Sequence, residues 1–127
     1  MRIAIAALAI FAWLMGLVLL FAPAEFYGPA GMDLDELLAT LPQATGALWI
    51  GLGVMNWFLR HVERQGHIAC FAGNLTVHIL SLTMVLRTMM IGQGGIAATP
   101  AVFIHLVFIA LCGVFLIKTL QTPRTSR

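Results

Sequence analysis

The stretch that decides the fold is residues 67–90, HIACFAGNLTVHILSLTMVLRTMM. It is apolar enough to lie in a bilayer, yet it carries His67, Cys70, Asn74, His78, Ser81 and Thr88. At about 100° per residue these side chains fall within roughly 80° of one helix face. A polar stripe on a membrane helix has to face protein or water, because hydrocarbon offers it no hydrogen-bond partner. The stretch therefore reads as a span with its stripe turned inward, and the other apolar runs read as the walls around it.

Composition agrees. The chain has 127 residues, 61% hydrophobic and 9% charged. Seven basic and five acidic side chains cannot cover a soluble domain of this length, so the principal partner is the lipid bilayer. A net charge of +2 is too small to suggest nucleic acid. The length allows a single domain, residues 1–127, with spans expected at about 3–22, 43–60, 67–90 and 99–119. Cys70 and Cys112 lie inside apolar runs with no C-x-x-C pattern and read as small buried residues.

Upstream, residues 3–21 form an uninterrupted apolar run that Pro23 ends. Ala9, Ala12 and Gly16 share a face that would let another backbone come close. Arg2 and Ala22-Pro23-Ala24 also resemble a secretory leader with its cleavage site. The run exceeds the usual leader core of about 7–15 residues and reads instead as a retained span. The connection that follows, residues 23–41, holds Glu25, Asp33, Asp35 and Glu36 and no Lys or Arg. Asp33 as N-cap with Glu36 three residues on predicts a short helix lying on the membrane surface. The second span should begin at Pro42 or Gln43, where proline suits a first helical turn. Gly46 and Gly53 mark a close-packing face of that span, beside Thr45, Trp49, Leu52 and Asn56.

Downstream, Gly92-Gln93-Gly94-Gly95 reads as a turn; it lacks the spacing and the Lys of a phosphate-binding loop. Pro100 opens the fourth span, which carries His105, Ile109, Cys112 and Leu116 on one face. The polar tail from Gln121 to Arg127 is expected to fray.

With four spans, Arg2, then Arg60 and Arg64, then Lys118, Arg124 and Arg127 fall on one side, and the acidic connection on the other. The positive-inside rule then places both termini in the cytoplasm. Arg87 is the exception, at the outer end, with Glu25 or Asp33 as its candidate ion-pair partner.

Inside the spans the strongly polar side chains form two layers. From a rise of about 1.5 Å per residue, Asn56 lies about 6 Å and Asn74 about 10 Å from the inner boundary, and His78 about 16 Å. His105 lies about 21 Å in, level with Ser81. Asn56 with Asn74, and His78 and Ser81 with His105, are thus the candidate polar centre. The structural reading is interhelical hydrogen bonding that fixes register. The functional reading is a pocket for a headgroup, a quinone or another small amphipathic ligand. Two facing histidines are also the axial-ligand pattern of a b-type haem. No Asp or Glu lies inside a span, which argues against a proton-coupled exporter. No H-E-x-x-H argues against a membrane zinc protease. Ser81 has no positioned acid or oxyanion site, so no catalytic residue and no metal site is assigned.

Leu20-Phe21-Ala22-Pro23 before Phe26-Tyr27-Gly28, and the glycine-spaced run Gly46-Ala47-Leu48-Trp49-Ile50-Gly51-Leu52-Gly53, resemble the DoxX-like group of small four-helix bacterial membrane proteins. Asn56-Trp57 with Arg60, and the run from Gly73-Asn74 to His78, resemble an uncharacterised subgroup of it. The resemblance implies the bacterial inner membrane, and members of the wider group have been linked to quinone-coupled oxidation and stress-related membrane complexes. Ala44-Thr45-Gly46 stands where some relatives carry an acidic residue and an arginine, so no catalytic residue carries over.

The expectation is an all-α, integral-membrane four-helix bundle. Its expected role is non-catalytic: an accessory subunit of other membrane proteins, or a binder of a small amphipathic ligand at Asn56, Asn74, His78, Ser81 and His105. The alternative is a redox component holding quinone or haem through His78 and His105.

Overall fold

The computed structural model describes residues 1–92 and 98–122 and is all-helical. Five α-helices follow in order: α1 (Arg2–Phe21), α2 (Pro23–Tyr27), α3 (Glu36–Leu59), α4 (Arg64–Met90) and α5 (Thr99–Gln121), with a 3₁₀ turn at Gly28–Ala30. Four of them, α1, α3, α4 and α5, are long and apolar enough to cross a membrane. The expected turn is described only as far as Gly92, in the left-handed region at φ 79°; the rest of it, and the tail with Arg124 and Arg127, lie outside the described residues.

The bundle is two antiparallel hairpins, α1 with α3 and α4 with α5, which meet each other more loosely. Small residues decide the first pair. A Cβ added at Gly16 would stand 2.7 Å from the Gly46 carbonyl oxygen, and one at Gly46 would stand 2.7 Å from the Gly16 carbonyl oxygen. One added at Gly53 would meet the Trp13 ring at 2.5 Å and the Ala9 carbonyl oxygen at 3.0 Å. Without a hydrophobic drive between helices in lipid, backbone approach of this kind supplies the packing. In the second pair, Phe71 stacks on Phe115 with ring centroids 5.4 Å apart. Ile5 and Leu8 of α1 join Cys70, Phe71 and Cys112 in the core between the hairpins.

The start of α3 differs from the sequence expectation. Asp35, not Asp33, is the N-cap: its carboxylate accepts the Leu38 backbone N–H at 2.7 Å. The surface helix expected near residues 36–41 is therefore the opening of α3 itself, and Pro42 lies inside that helix with its ring buried rather than in its first turn. The cap satisfies an amide at Glu36's turn, so the helix nucleates two turns ahead of the proline. The separate short helix of the connection is α2, which Pro23 starts at its first position.

One end of the bundle gathers Arg2, Arg60, Arg64 and Lys118, four of the five described Lys and Arg residues. The Arg64 guanidinium donates to the carbonyl oxygens of Thr119 (3.1 Å) and Leu120 (3.0 Å), filling the open C-terminus of α5. The Thr119 hydroxyl approaches the Met1 sulfur at 3.3 Å. Arg60 lies flat on the Trp57 ring, 3.2 Å from its centroid, and Trp57 packs on Trp13. The start of α1, the turn between α3 and α4, and the end of α5 thus share one end.

Candidate functional site

The stripe on α4 separates by depth of burial. Cys70, Asn74 and His78 are fully enclosed, while His67, Ser81 and Thr88 are half-buried. Thr76, Thr83 and Thr88 return their hydroxyls to the carbonyl four residues back, at 2.9–3.0 Å. Thr45 on α3 does the same to Leu41. These hydroxyls are satisfied within their own helices and mark no site.

The lower layer forms as the depths suggest. Asn56 Nδ2 donates to Asn74 Oδ1 at 3.1 Å, and Asn74 Nδ2 donates to Asn56 Oδ1 at 2.9 Å. Two further contacts complete the pair. Asn74 Nδ2 also donates to the Cys70 carbonyl at 2.8 Å, and the Cys70 thiol donates to Asn56 Oδ1 at 3.2 Å. Cys70, which lies on the polar stripe though it reads as a small buried residue, thus takes part in the polar layer. Each side-chain nitrogen and oxygen of the two amides thus has a protein partner.

The upper layer is different. His78 Nδ1 and His105 Nδ1 lie 3.0 Å apart, joining α4 to α5. When both rings are neutral, one donates and the other accepts. His78 Nε2 is buried and has no hydrogen-bond partner among the described residues. The ring is boxed by aromatics from both hairpins. Phe108 stacks on it at 4.6 Å and 5°, Trp49 stands at 5.8 Å and Phe11 at 6.3 Å. Phe11 in turn packs on Phe108 at 4.4 Å and on Trp49 at 5.9 Å. Ser81, expected in this layer, makes no hydrogen bond to either histidine. His105 meets His78 instead, about one turn away from the level a straight-helix estimate gives. Arg87 is exposed, and among the described residues it forms no ion pair with Glu25 or Asp33.

The sequence places Trp49 on the Asn56 face of its span and singles out neither Phe11 nor Phe108. They sit in runs that are apolar all round, where nothing distinguishes an inward ring from a lipid-facing one. Among the described residues no group of three or more His, Cys, Asp or Glu could hold a metal ion. An iron held axially between the two histidines would put the ligating nitrogens about 4 Å apart, twice a metal–nitrogen bond of about 2.0–2.1 Å. At 3.0 Å, with Phe108 flat against one ring, the pair bonds to itself and does not fit axial ligation of haem.

The family described as a domain of unknown function, DUF8292, matches residues 6–127. No curated protein and no solved structure matches the chain. Since the match spans nearly the whole length, the chain belongs to the DUF8292 family.

Proposed function

We propose that the chain is a small, non-catalytic integral membrane protein that binds a small amphipathic ligand at its upper polar layer. One observation carries this reading: His78 Nε2 is buried without a partner inside an aromatic box. In hydrocarbon an unmet polar atom is costly, and a ligand atom that meets it gains what the free protein lacks. The amide layer beneath, closed on itself, acts as the register lock between hairpins. A quinone is one ligand of this class; the haem alternative draws no support from the geometry of the pair.

The setting we infer is the inner membrane of a bacterium, as the DoxX-like resemblance suggests. The shared basic end would face the cytoplasm, bringing both termini there. The acidic connection would lie outside, with α2 on the membrane surface, where Phe26 and Tyr27 suit the headgroup layer. The second reading is an accessory subunit of a larger membrane complex, in which part of the lipid-facing surface would meet another protein.

The test is mass spectrometry of what copurifies with the protein in a mild detergent. One amphiphile enriched over bulk lipid, and lost in His78→Phe, is the expected result. Enrichment of nothing but bulk lipid would sink the ligand reading; a stoichiometric protein partner instead would favour the subunit reading.

A further inference from the structure

A groove of about 220 Å³ runs along the outside of the bundle between α1 and α5. Ala4 and Ala7 line it from α1, Leu111 and Phe115 from α5, and Phe71 lies at its floor. It exists because α1 and α5 belong to different hairpins, and because Ala4 and Ala7 are too small to reach across. Its last wall is Phe108. The same ring stacks on His78. One half-buried side chain thus belongs both to the wall of an apolar groove and to the cover over an imidazole with a buried, unpartnered nitrogen.

Resting on the ligand reading above, we propose that the groove is the bilayer-side entrance to His78, that Phe108 is its gate, and that the ligand is a neutral single-chain amphiphile with a hydroxyl head. The chain would lie along the groove and the hydroxyl would meet His78 Nε2. Three considerations fix that chemistry. Among the described residues the rings packed around His78 are Phe11, Trp49, His105 and Phe108, none of them charged as an acid or a strong base, and those lining the groove are all apolar. A charged head would be buried there with no counter-charge. The tautomer of the histidine pair decides whether Nε2 offers a lone pair or an N–H, and a hydroxyl answers either. From Phe108 to Phe115 the groove wall rises about 10 Å at about 1.5 Å per residue, which suits one extended chain rather than a bulky ring system. The gate is Phe108 rather than Phe71 because Phe71 is fully enclosed and stacks on Phe115, outside the aromatic box, whereas Phe108 is half-buried, lines the groove and stacks on His78.

The experiment uses the full chain in bicelles with dodecanol as the probe. A dodecanol carrying a mid-chain diazirine is photolysed and its adducts are mapped by mass spectrometry. In parallel the ¹⁵N imidazole spectrum is recorded with plain dodecanol. Adducts should concentrate on residues 4–8 and 111–115 and be competed away by unlabelled dodecanol, and the His78 Nε2 resonance should shift. Ala7→Trp and Leu111→Trp, each filling the groove from an exposed position, should abolish both signals. Leu14→Trp, exposed elsewhere on α1, should leave them intact. A shift of Nε2 that survives both groove-filling variants overturns the entrance and leaves the ligand reading standing. A copurifying charged amphiphile lost in His78→Phe, with no response to dodecanol, overturns the neutral head. Adducts spread over all outward helix faces and not competed show lipid-like solvation only and overturn the groove as a site.

Discussion

The side-chain amides of Asn56 and Asn74 donate to each other across the seam between the two hairpins, at 3.1 and 2.9 Å. Replacing one amide leaves the other buried with part of its capacity unmet, which costs about 1–3 kcal/mol. Replacing both removes the orphan together with the bonds. Asn56→Leu and Asn74→Leu should each destabilise the protein in an SDS unfolding titration. The double variant should lose less than the sum of the two, by at least about 0.5 kcal/mol, as contacting residues do. Strict additivity would mean the amides do not act as a pair.

The seam of α1 against α3 makes a sharper mutational contrast. Alanine at Gly16 or Gly46 would drive a methyl into the facing backbone, and overpacking of that kind costs about 1–3 kcal/mol. At Gly51 nothing stands within 4 Å of an added Cβ. Gly51→Ala should therefore be neutral, or more stable by up to about 1 kcal/mol from helix propensity. Equal losses at all three positions would refute close backbone packing as the cause.

These two features differ in how they could be read before the structure. Small residues and lone amides stand out in an apolar run, because each has a cost or a use that leucine lacks. The pairing of Asn56 with Asn74 followed from depth alone, and the Gly46 and Gly53 face from its spacing. The boundary of α3 was harder. Asp33 and Asp35 both stand just ahead of Leu37-Leu38, and only the geometry of the Leu38 amide selects Asp35. Of the aromatic box around His78 only Trp49 was legible, on the face it shares with Asn56; Phe11 and Phe108 resemble Phe21 and Phe103, the exposed rings on the same helices. Ser81 lies on the right face and still finds no partner, because the histidines of α4 and α5 satisfy one another at a different level.

The histidine pair predicts an order of damage. In His105→Phe, His78 would be buried with both ring nitrogens unpartnered, a loss of about 1–3 kcal/mol. In His78→Phe, the residue left unpaired is the half-buried His105, and a phenyl ring suits the aromatic box. Unfolding titrations should rank His105→Phe as the less stable variant. The reverse ranking would show that His78 is held by contacts other than its bond to His105.

Tyr27, the sole tyrosine, supplies a pH probe in the first connection. Burial raises its phenol above the ordinary value of 10.0, because the charged phenolate is the form that loses solvation. Between the unfolded and folded values the unfolded chain has already lost the proton and the folded one still binds it. Stability should then fall as pH rises above 10, and Tyr27→Phe should remove that part of the decline. Absorbance at the phenolate band during an alkaline titration reads the shift directly; a midpoint at the free-tyrosine value would contradict the burial.

Topology can be tested with the native thiols in place, since Cys70 and Cys112 are enclosed at 0% and 1% exposure and should not react with an impermeant maleimide. The bond from Arg64 to the end of α5 and the contact of Met1 with Thr119 put the 60–63 turn at the same end as the start of α1 and the end of α5. The acidic connection must then lie at the other end, whichever way the bundle sits. Asp33 and His61 are both exposed, so each accepts a cysteine without disturbing the packing. In intact spheroplasts Asp33→Cys should label from outside, and His61→Cys only after permeabilisation, as the positive-inside rule requires. The opposite pattern would invert the orientation while preserving the four spans. Labelling of both from one side would mean that α3 does not cross, and the bundle could not then sit in the membrane with both hairpins spanning it.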